Sequence, residues 1–257
     1  MKILFVGDIV GRAGRVVLKE RLAEVQEKNG IDFTIVNVEN AAGGFGITPT
    51  LADEIRNYGV DVMTSGNHIW DKKEILEYFS GQPRLLRPGN YPPGNPGAYK
   101  FVGETPAGVG VAVINLQGRV FMPNIDCPFQ MAEREIPKLA RETPVIVVDF
   151  HAEATSEKVA FGWFLDGKVS AVIGTHTHIP TADERVLPRG TAYITDVGMT
   201  ASYDSVIGMK TEIALQRFIT GLPSRLEAET EPARFSSVIL DIDESSGRAR
   251  SIHRLRI

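Results

Sequence analysis

The chain has a single cysteine among 257 residues, Cys127. That excludes an internal disulfide and any zinc site built from a cysteine cluster. The thiol sits between Asp126 and Pro128 with nothing beside it in sequence to activate a thiolate, so it reads as a bystander. No apolar run approaches the ~20 residues of a membrane-spanning helix. The opening run Lys2 to Val6 passes directly into a polar Gly7-Asp8 turn instead of continuing as the core of a signal peptide. A cytoplasmic protein without a membrane partner is therefore expected. Positive charge is in deficit as well: 28 Lys and Arg against 32 Asp and Glu leave a formal net charge of -4. Such a chain presents no extended nucleic-acid surface acting by counterion release. An anionic substrate would have to be drawn in by a local site. Internal repeats and low-complexity tracts are absent, and self-association into a homo-oligomer is left open.

The 43% of hydrophobic residues is ordinary for a globular chain able to enclose one substantial core, so a single domain over 1–257 is expected. The first third alternates β-branched runs with amphipathic stretches. Ile3 to Val6, Phe33 to Val38 and Val60 to Thr64 read as buried strands, separated by helices near Arg15 to Lys28 and Pro49 to Tyr58. Thr48 suits the N-cap of the second helix and Pro49 its first turn. Gly81 to Gly97, rich in proline and glycine, reads as a surface loop. Beyond it, Ala98 to Val102, Val109 to Leu116, Val145 to Phe150, Val169 to Ile173 and Thr191 to Thr195 read as strands. Pro128 to Ala140, Ser156 to Leu165 and Lys210 to Thr220 read as helices, and Ser236 to Asp243 with Ala249 to Arg256 as a closing hairpin. This order predicts an α/β protein of two sheets covered by helices.

The metal-capable side chains fall in a pattern. Asp8, Glu39 with Asn40, Asn67 with His68, His151, and His176 with His178 each follow a predicted strand, and four of the five histidines are among them. Residues at the carboxyl ends of neighbouring strands open onto one crevice, so these groups can converge although distant in sequence. Carboxylate, amide and imidazole together favour manganese, iron or zinc. In His176-Thr177-His178 an extended backbone would point both rings to one side, each toward a different ion, with a carboxylate as the natural bridge between them. The glycines Gly7, Gly11 and Gly14 miss the spacing of a dinucleotide-binding loop, and Asp8 would put a carboxylate where pyrophosphate should lie.

Gly66-Asn67-His68 and Gly174-Thr175-His176-Thr177-His178, with an aspartate after the first strand and a lone histidine between them, resemble the calcineurin-like metallophosphoesterase superfamily. Gly7-Asp8-Ile9-Val10-Gly11, Glu39-Asn40 ahead of Ala41-Ala42-Gly43-Gly44, and Thr195-Asp196-Val197-Gly198-Met199 resemble its bacterial YmdB-like branch of 2′,3′-cyclic-nucleotide phosphodiesterases. The resemblance covers nearly the whole chain. It implies a four-layer α/β/β/α sandwich with the site at the strand C-terminal ends, and two transition-metal ions, iron or manganese foremost and zinc as an alternative. By the same resemblance Asp8, Glu39, Asn40 and His178 would hold one ion, and Glu39, Asn67, His151 and His176 the other. The chain departs from the wider superfamily at Val10, where a histidine is usual, and at Glu39-Asn40, where Gly-Asp is usual; Asn40 would stand in for the missing imidazole.

The expected chemistry is hydrolysis of a small phosphodiester such as a cyclic nucleotide by a bridging hydroxide at a dinuclear centre. Asp8 and Glu39 return only two negative charges to two divalent ions, so the site attracts an anion in spite of the acidic whole. His68, beside a ligand without being one, is the candidate general acid for the departing ribose oxygen. Asp71 is expected to cap a helix beginning at Lys72, Asp196 to orient a ligand imidazole, and His253 to lie on the surface. The rival readings are a phosphomonoesterase or nucleotidase with the same centre, and a regulatory, RNA-associated metal-binding protein with only residual activity.

Overall fold

The buried, β-branched runs become strands that end together. In the computed structural model, which describes residues 1–257, the first part of the chain forms β1 (Lys2–Val6), β2 (Asp8–Ile9), α1 (Gly11–Asn29), β3 (Phe33–Asn37), α2 (Pro49–Asn57) and β4 (Val62–Thr64). Thr48 caps α2, its hydroxyl accepting from Leu51 N, because the first turn of a helix leaves its N–H groups without intrahelical partners. A short helix, α3 (Ile75–Tyr78), leads into the Gly/Pro-rich loop. Then come β5 (Lys100–Glu104), β6 (Gly110–Gln117), α4 (Pro128–Leu139), β7 (Ile146–His151), α5 (Thr155–Leu165) and β8 (Ala171–Thr175). The chain closes with β9 (Arg185–Val186), β10 (Ala192–Ile194), β11 (Met199–Ser202), α6 (Thr211–Thr220), β12 (Ala233–Arg234), β13 (Ser236–Ile242) and β14 (Ala249–Arg256). Apart from the helix expected to begin at Lys72, every predicted strand and helix is present, with shifts of a few residues at the boundaries.

The strands form a five-stranded sheet, β14-β13-β1-β3-β4, a six-stranded sheet, β5-β6-β7-β8-β10-β9, and a small sheet, β12-β11-β2. Each large sheet has a parallel run: β1, β3 and β4, which reaches one edge of the first, and β6, β7, β8 and β10, which fills the middle of the second. Antiparallel strands complete them, β13 and β14 on one side of the first sheet and β5 and β9 at the two edges of the second. Alternation along each strand sorts the core. Ile3, Phe5, Ile35 and Val62 pack with Val113, Val147 and Ile173 of the other sheet. The opposite faces pack on helices: Leu4, Val36 and Met63 against Leu18, Leu22 and Ile55, and Ile114, Val148 and Val172 against Ile136, Phe161 and Leu165. Parallel strands with helices returning on one face must all point the same way, so β1, β3 and β4 end beside one another. β7 and β8 end likewise in the other sheet. Asn37 on β3 donates to Asp149 Oδ2 on β7 at 3.0 Å, a polar tie between the two sheets.

Candidate metal centre

The seven residues expected to bind metal come together at these strand ends. His151 is the last residue of β7, and its ring nitrogens have different partners. Thr175 Oγ1 donates its one proton to Asp149 Oδ1 at 2.7 Å. It can therefore only accept at its other contact, 2.9 Å from His151 Nδ1. The Nδ1–H of His151 is thereby used, and Nε2 is left to face Glu39 Oε1 at 3.1 Å, Asn67 Oδ1 at 3.2 Å and His176 Nδ1 at 3.0 Å. His176 turns its Nε2–H to the carboxylate of Glu153, 3.1 Å away, which leaves Nδ1 as its lone pair. His178 donates Nδ1–H to the carbonyl of Ile207 at 2.8 Å and places Nε2 3.4 Å from Asp8 Oδ2.

The atoms pointing inward are thus almost all acceptors. Asn40 spends its amide nitrogen on Gly44 O at 2.9 Å and leaves its carbonyl oxygen buried without a partner. Asp8 Oδ1 is likewise buried without a hydrogen bond, and Glu39 Oε1 has no neighbour to satisfy it but His151 Nε2. Orphaned buried acceptors cost free energy unless a positive group satisfies them. A proton on His151 Nε2 can satisfy one of them and leaves the rest facing one another; a cation satisfies several at once. The donor atoms form two groups, each with all members within 4.8 Å: Glu39, His151 and His176, and Asp8, Glu39 and His178. Glu39 belongs to both. The residues fit a pair of cations, and the mixed oxygen and imidazole set is of the kind transition metals take.

The electrostatics are those of a crowded buried site. Burial lifts the Asp8 carboxyl well above the usual carboxylate range, opposed by His151 and assisted by Glu39. Burial pushes Glu39 the same way, but His151, His68 and His176 overcome it and hold the group at about 2. His151 is raised to about 9, because Glu39 and Asp8 outweigh the effect of burial. His176 is lowered to about 3 by burial and by His151, and burial lowers His178. Opposed shifts in one buried cluster are what a candidate functional site shows.

Some expectations need correction. The His176-Thr177-His178 backbone is not extended: His176 has φ +99° and His178 φ +67°, a region that residues with side chains seldom occupy. A turn, held by tertiary hydrogen bonds, aims the two rings. Asp196 does not orient an imidazole; its Oδ2 accepts from Thr177 N at 3.0 Å, Thr177 Oγ1 at 2.8 Å and Lys158 Nζ at 2.7 Å, and so holds the turn between the two histidines. No helix starts at Lys72, and Asp71 instead accepts from His68 Nδ1 at 2.8 Å. The ring of His68 meets Phe45 edge-on at 5.1 Å, and its backbone N–H donates to Glu39 Oε2 at 3.2 Å. His253 is exposed, as expected.

The geometry agrees with what the chain is similar to. The family described as YmdB-like protein matches residues 4–255. The chain belongs to the YmdB-like family. Among its relatives, a Bacillus subtilis (strain 168) protein named 2′,3′-cyclic-nucleotide 2′-phosphodiesterase is 49% identical over 258 residues, spanning 100% of this chain and 97% of that one. A crystal structure of a hypothetical protein from Thermus thermophilus superposes with a TM-score of 0.94 at 39% identity, covering 100% and 99% of the two chains. A Mycoplasma pneumoniae crystal structure, described as a novel phosphatase, has a TM-score of 0.94 at 35% identity and covers 100% and 93%. No helix of this YmdB-like chain is long and apolar enough to cross a membrane. Sequence reasoning missed four supports of the centre: Asp149, Thr175, Glu153 and Lys158. Asp149 and Glu153 carried a signal, each an acidic residue two positions from His151.

Proposed function

We propose that this chain is a metal-dependent phosphodiesterase acting on 2′,3′-cyclic nucleotides or similar small phosphodiesters, with residues 1–257 forming one four-layer α/β/β/α domain. The observation that carries the reading is the position of Glu39, whose buried carboxylate is common to both donor groups. The substrate class comes from the name of the Bacillus subtilis relative, and the packing of two sheets on each other and of helices on their outer faces supports the layered description.

In this reading Asp8, Glu39, Asn40 and His178 hold one ion and Glu39, Asn67, His151 and His176 the other, with iron or manganese favoured by the donor set. Such a pair, when bound, supplies a water of lowered pKa and neutralises charge developing on phosphorus. The protein's own groups do the rest. Thr175, Glu153 and the Ile207 carbonyl each take one N–H of a histidine and so fix which nitrogen faces inward. Asp71 accepts the Nδ1–H of His68, so Nε2 is the nitrogen that remains for the cleft, and as the imidazolium the ring can give its Nε2 proton to the departing ribose oxygen. Turnover of a panel of diesters and monoesters, with metals quantified in the same sample, tests the assignment. Diester turnover that tracks metal content is expected. Preference for monoesters would make the protein a phosphatase, and metal binding without turnover would leave a binding protein.

A further inference from the structure

One wall of the cleft does no chemistry. The cavity of about 350 Å³ that contains His68, His176 and His178 is also lined by Phe45, Ile207, Met209 and Leu226. Phe45, Met209 and Leu226 belong to a small apolar cluster with Val10 and Met199, away from the main cores, so the wall is backed by packed side chains. Ile207 is the unusual member. It is 46% exposed and has φ +48°, a conformation that β-branched residues seldom adopt. The turn around it is tightly tied: Val206 and Met209 exchange both backbone hydrogen bonds at 2.9 Å, and Gly208 N donates to Ser205 Oγ at 2.9 Å. The carbonyl of Ile207 also holds His178. An apolar side chain kept in water by a strained turn, beside the catalytic cleft, is unexplained by stability.

We infer that Phe45, Ile207, Met209 and Leu226 form a subsite for the nucleobase of the substrate, recognised through stacking and apolar contact. The inference rests on the phosphodiesterase reading above. The cavity is at the small end of ligand sites, matching a mononucleotide more closely than a polymer. No lysine or arginine lines it, so nothing is built to receive a second phosphate or an acidic peptide. What the wall offers is an apolar face with one aromatic ring beside the anion site. Its polar neighbours are already engaged: Thr177 Oγ1 donates to Asp196, Glu153 takes His176, and the Ile207 carbonyl takes His178. Base edges therefore find few free partners to read them, and the subsite tolerates different bases while ranking them by stacking area, purines ahead of pyrimidines.

The test compares 2′,3′-cyclic AMP with glycerol 1,2-cyclic phosphate, which carries the same strained diester and no base, on the metal-loaded enzyme. Phe45→Ala should raise KM for cyclic AMP about tenfold more than KM for the glycerol diester. Phe45→Tyr, which restores the ring, should recover most of the difference. Adenosine should inhibit the wild type competitively and the alanine variant about tenfold less well. Equal changes on both substrates would overturn the subsite and leave Phe45 as a packing residue. A wild type that hydrolyses neither diester would end the phosphodiesterase reading instead. Equilibrium dialysis of labelled adenosine against wild type and Phe45→Ala would then still decide the subsite, with equal retention overturning it.

Discussion

The ammonium of Lys158 lies 2.7 Å from Asp196 Oδ2, and each side chain is only 1% exposed. Lys158 also donates to Thr175 O at 2.7 Å, and Asp196 receives the backbone and hydroxyl of Thr177. The pair therefore clamps both ends of the turn that carries His176 and His178. Charges so buried are kept only by their mutual attraction and by hydrogen bonds that satisfy their remaining valences.

Removing both partners should then cost less than the two single losses added together. Lys158→Met and Asp196→Asn should each destabilise the protein by about 3–5 kcal/mol, because each leaves an uncompensated buried group. The double variant should lose clearly less than the sum of the two. Chemical denaturation of all four proteins gives the coupling, and metal content in the same preparations should fall with the loss of the turn. Additive losses would mean that the two residues act independently.

Glu39 and Asn40 are adjacent in sequence but should differ in consequence. Glu39 stands in both donor groups, so Glu39→Gln should lower metal content at both positions. Asn40 presents one unpartnered oxygen, Oδ1, so Asn40→Ala should weaken only the ion held with Asp8 and His178. Metal content per chain, by elemental analysis, separates one loss from two. Full occupancy in Glu39→Gln would remove the bridging role, and equal loss of both ions in Asn40→Ala would undo the division of ligands.

Far from the centre, Glu135 predicts a pH dependence. Its carboxyl is buried on α4, 2.8 Å from Lys100 Nζ and 2.7 Å from Lys138 Nζ. Burial pushes the group up, but the two ammoniums outweigh it and hold it at about 2. A carboxyl that ionises more readily folded than unfolded adds stability above its ordinary value of 4.5, and that stability is lost as pH falls from there toward about 2. Both lysines are partly exposed, so the contribution should be about 1 kcal/mol. Glu135→Gln should therefore lower Tm by about 2–4 °C near neutral pH, and the gap to the wild type should close below about pH 3. A gap that stays constant down to pH 2 would mean the loss is one of packing.

How far the sequence carried the argument depends on which interactions place each residue. Asp8, Glu39, Asn67 and His151 were legible because each follows or ends a run of β-branched residues, and parallel strands in one sheet must end together. Asn40 was legible through the missing histidine at Val10. The aim of the rings was not. His176 and His178 adopt positive φ because Thr177 is tied to Asp196 and His178 to the Ile207 carbonyl, partners 19 and 29 residues away that no local pattern announces. Asp71 looked like a helix cap by its position, yet the three-residue spacing to His68 on a tight 3₁₀ turn (Asn67–Trp70) brings the two side chains together instead. Lys158 lies within the helix expected over Ser156 to Leu165, and its burial depends on a strand end that the helix itself does not reveal.

His68 offers the sharpest separation of chemistry from metal binding. It adjoins Asn67 in sequence, its ring is 30% exposed in the cleft, and its Nδ1 is committed to Asp71. If its role is to protonate the leaving oxygen, His68→Ala should retain both metals and the affinity for substrate and slow the chemical step by about 10² to 10⁴-fold. Asp71→Asn, which leaves the imidazole in place but changes what its Nδ1 meets, should give a smaller loss in the same direction. The size of the loss should depend on the leaving group. A nitrophenolate departs without a proton, so a nitrophenyl diester should suffer far less than a cyclic ribose phosphate, whose alkoxide needs one. Equal losses on both substrates, with metals intact, would make His68 a group that steadies the phosphate, and loss of metal would make it a ligand.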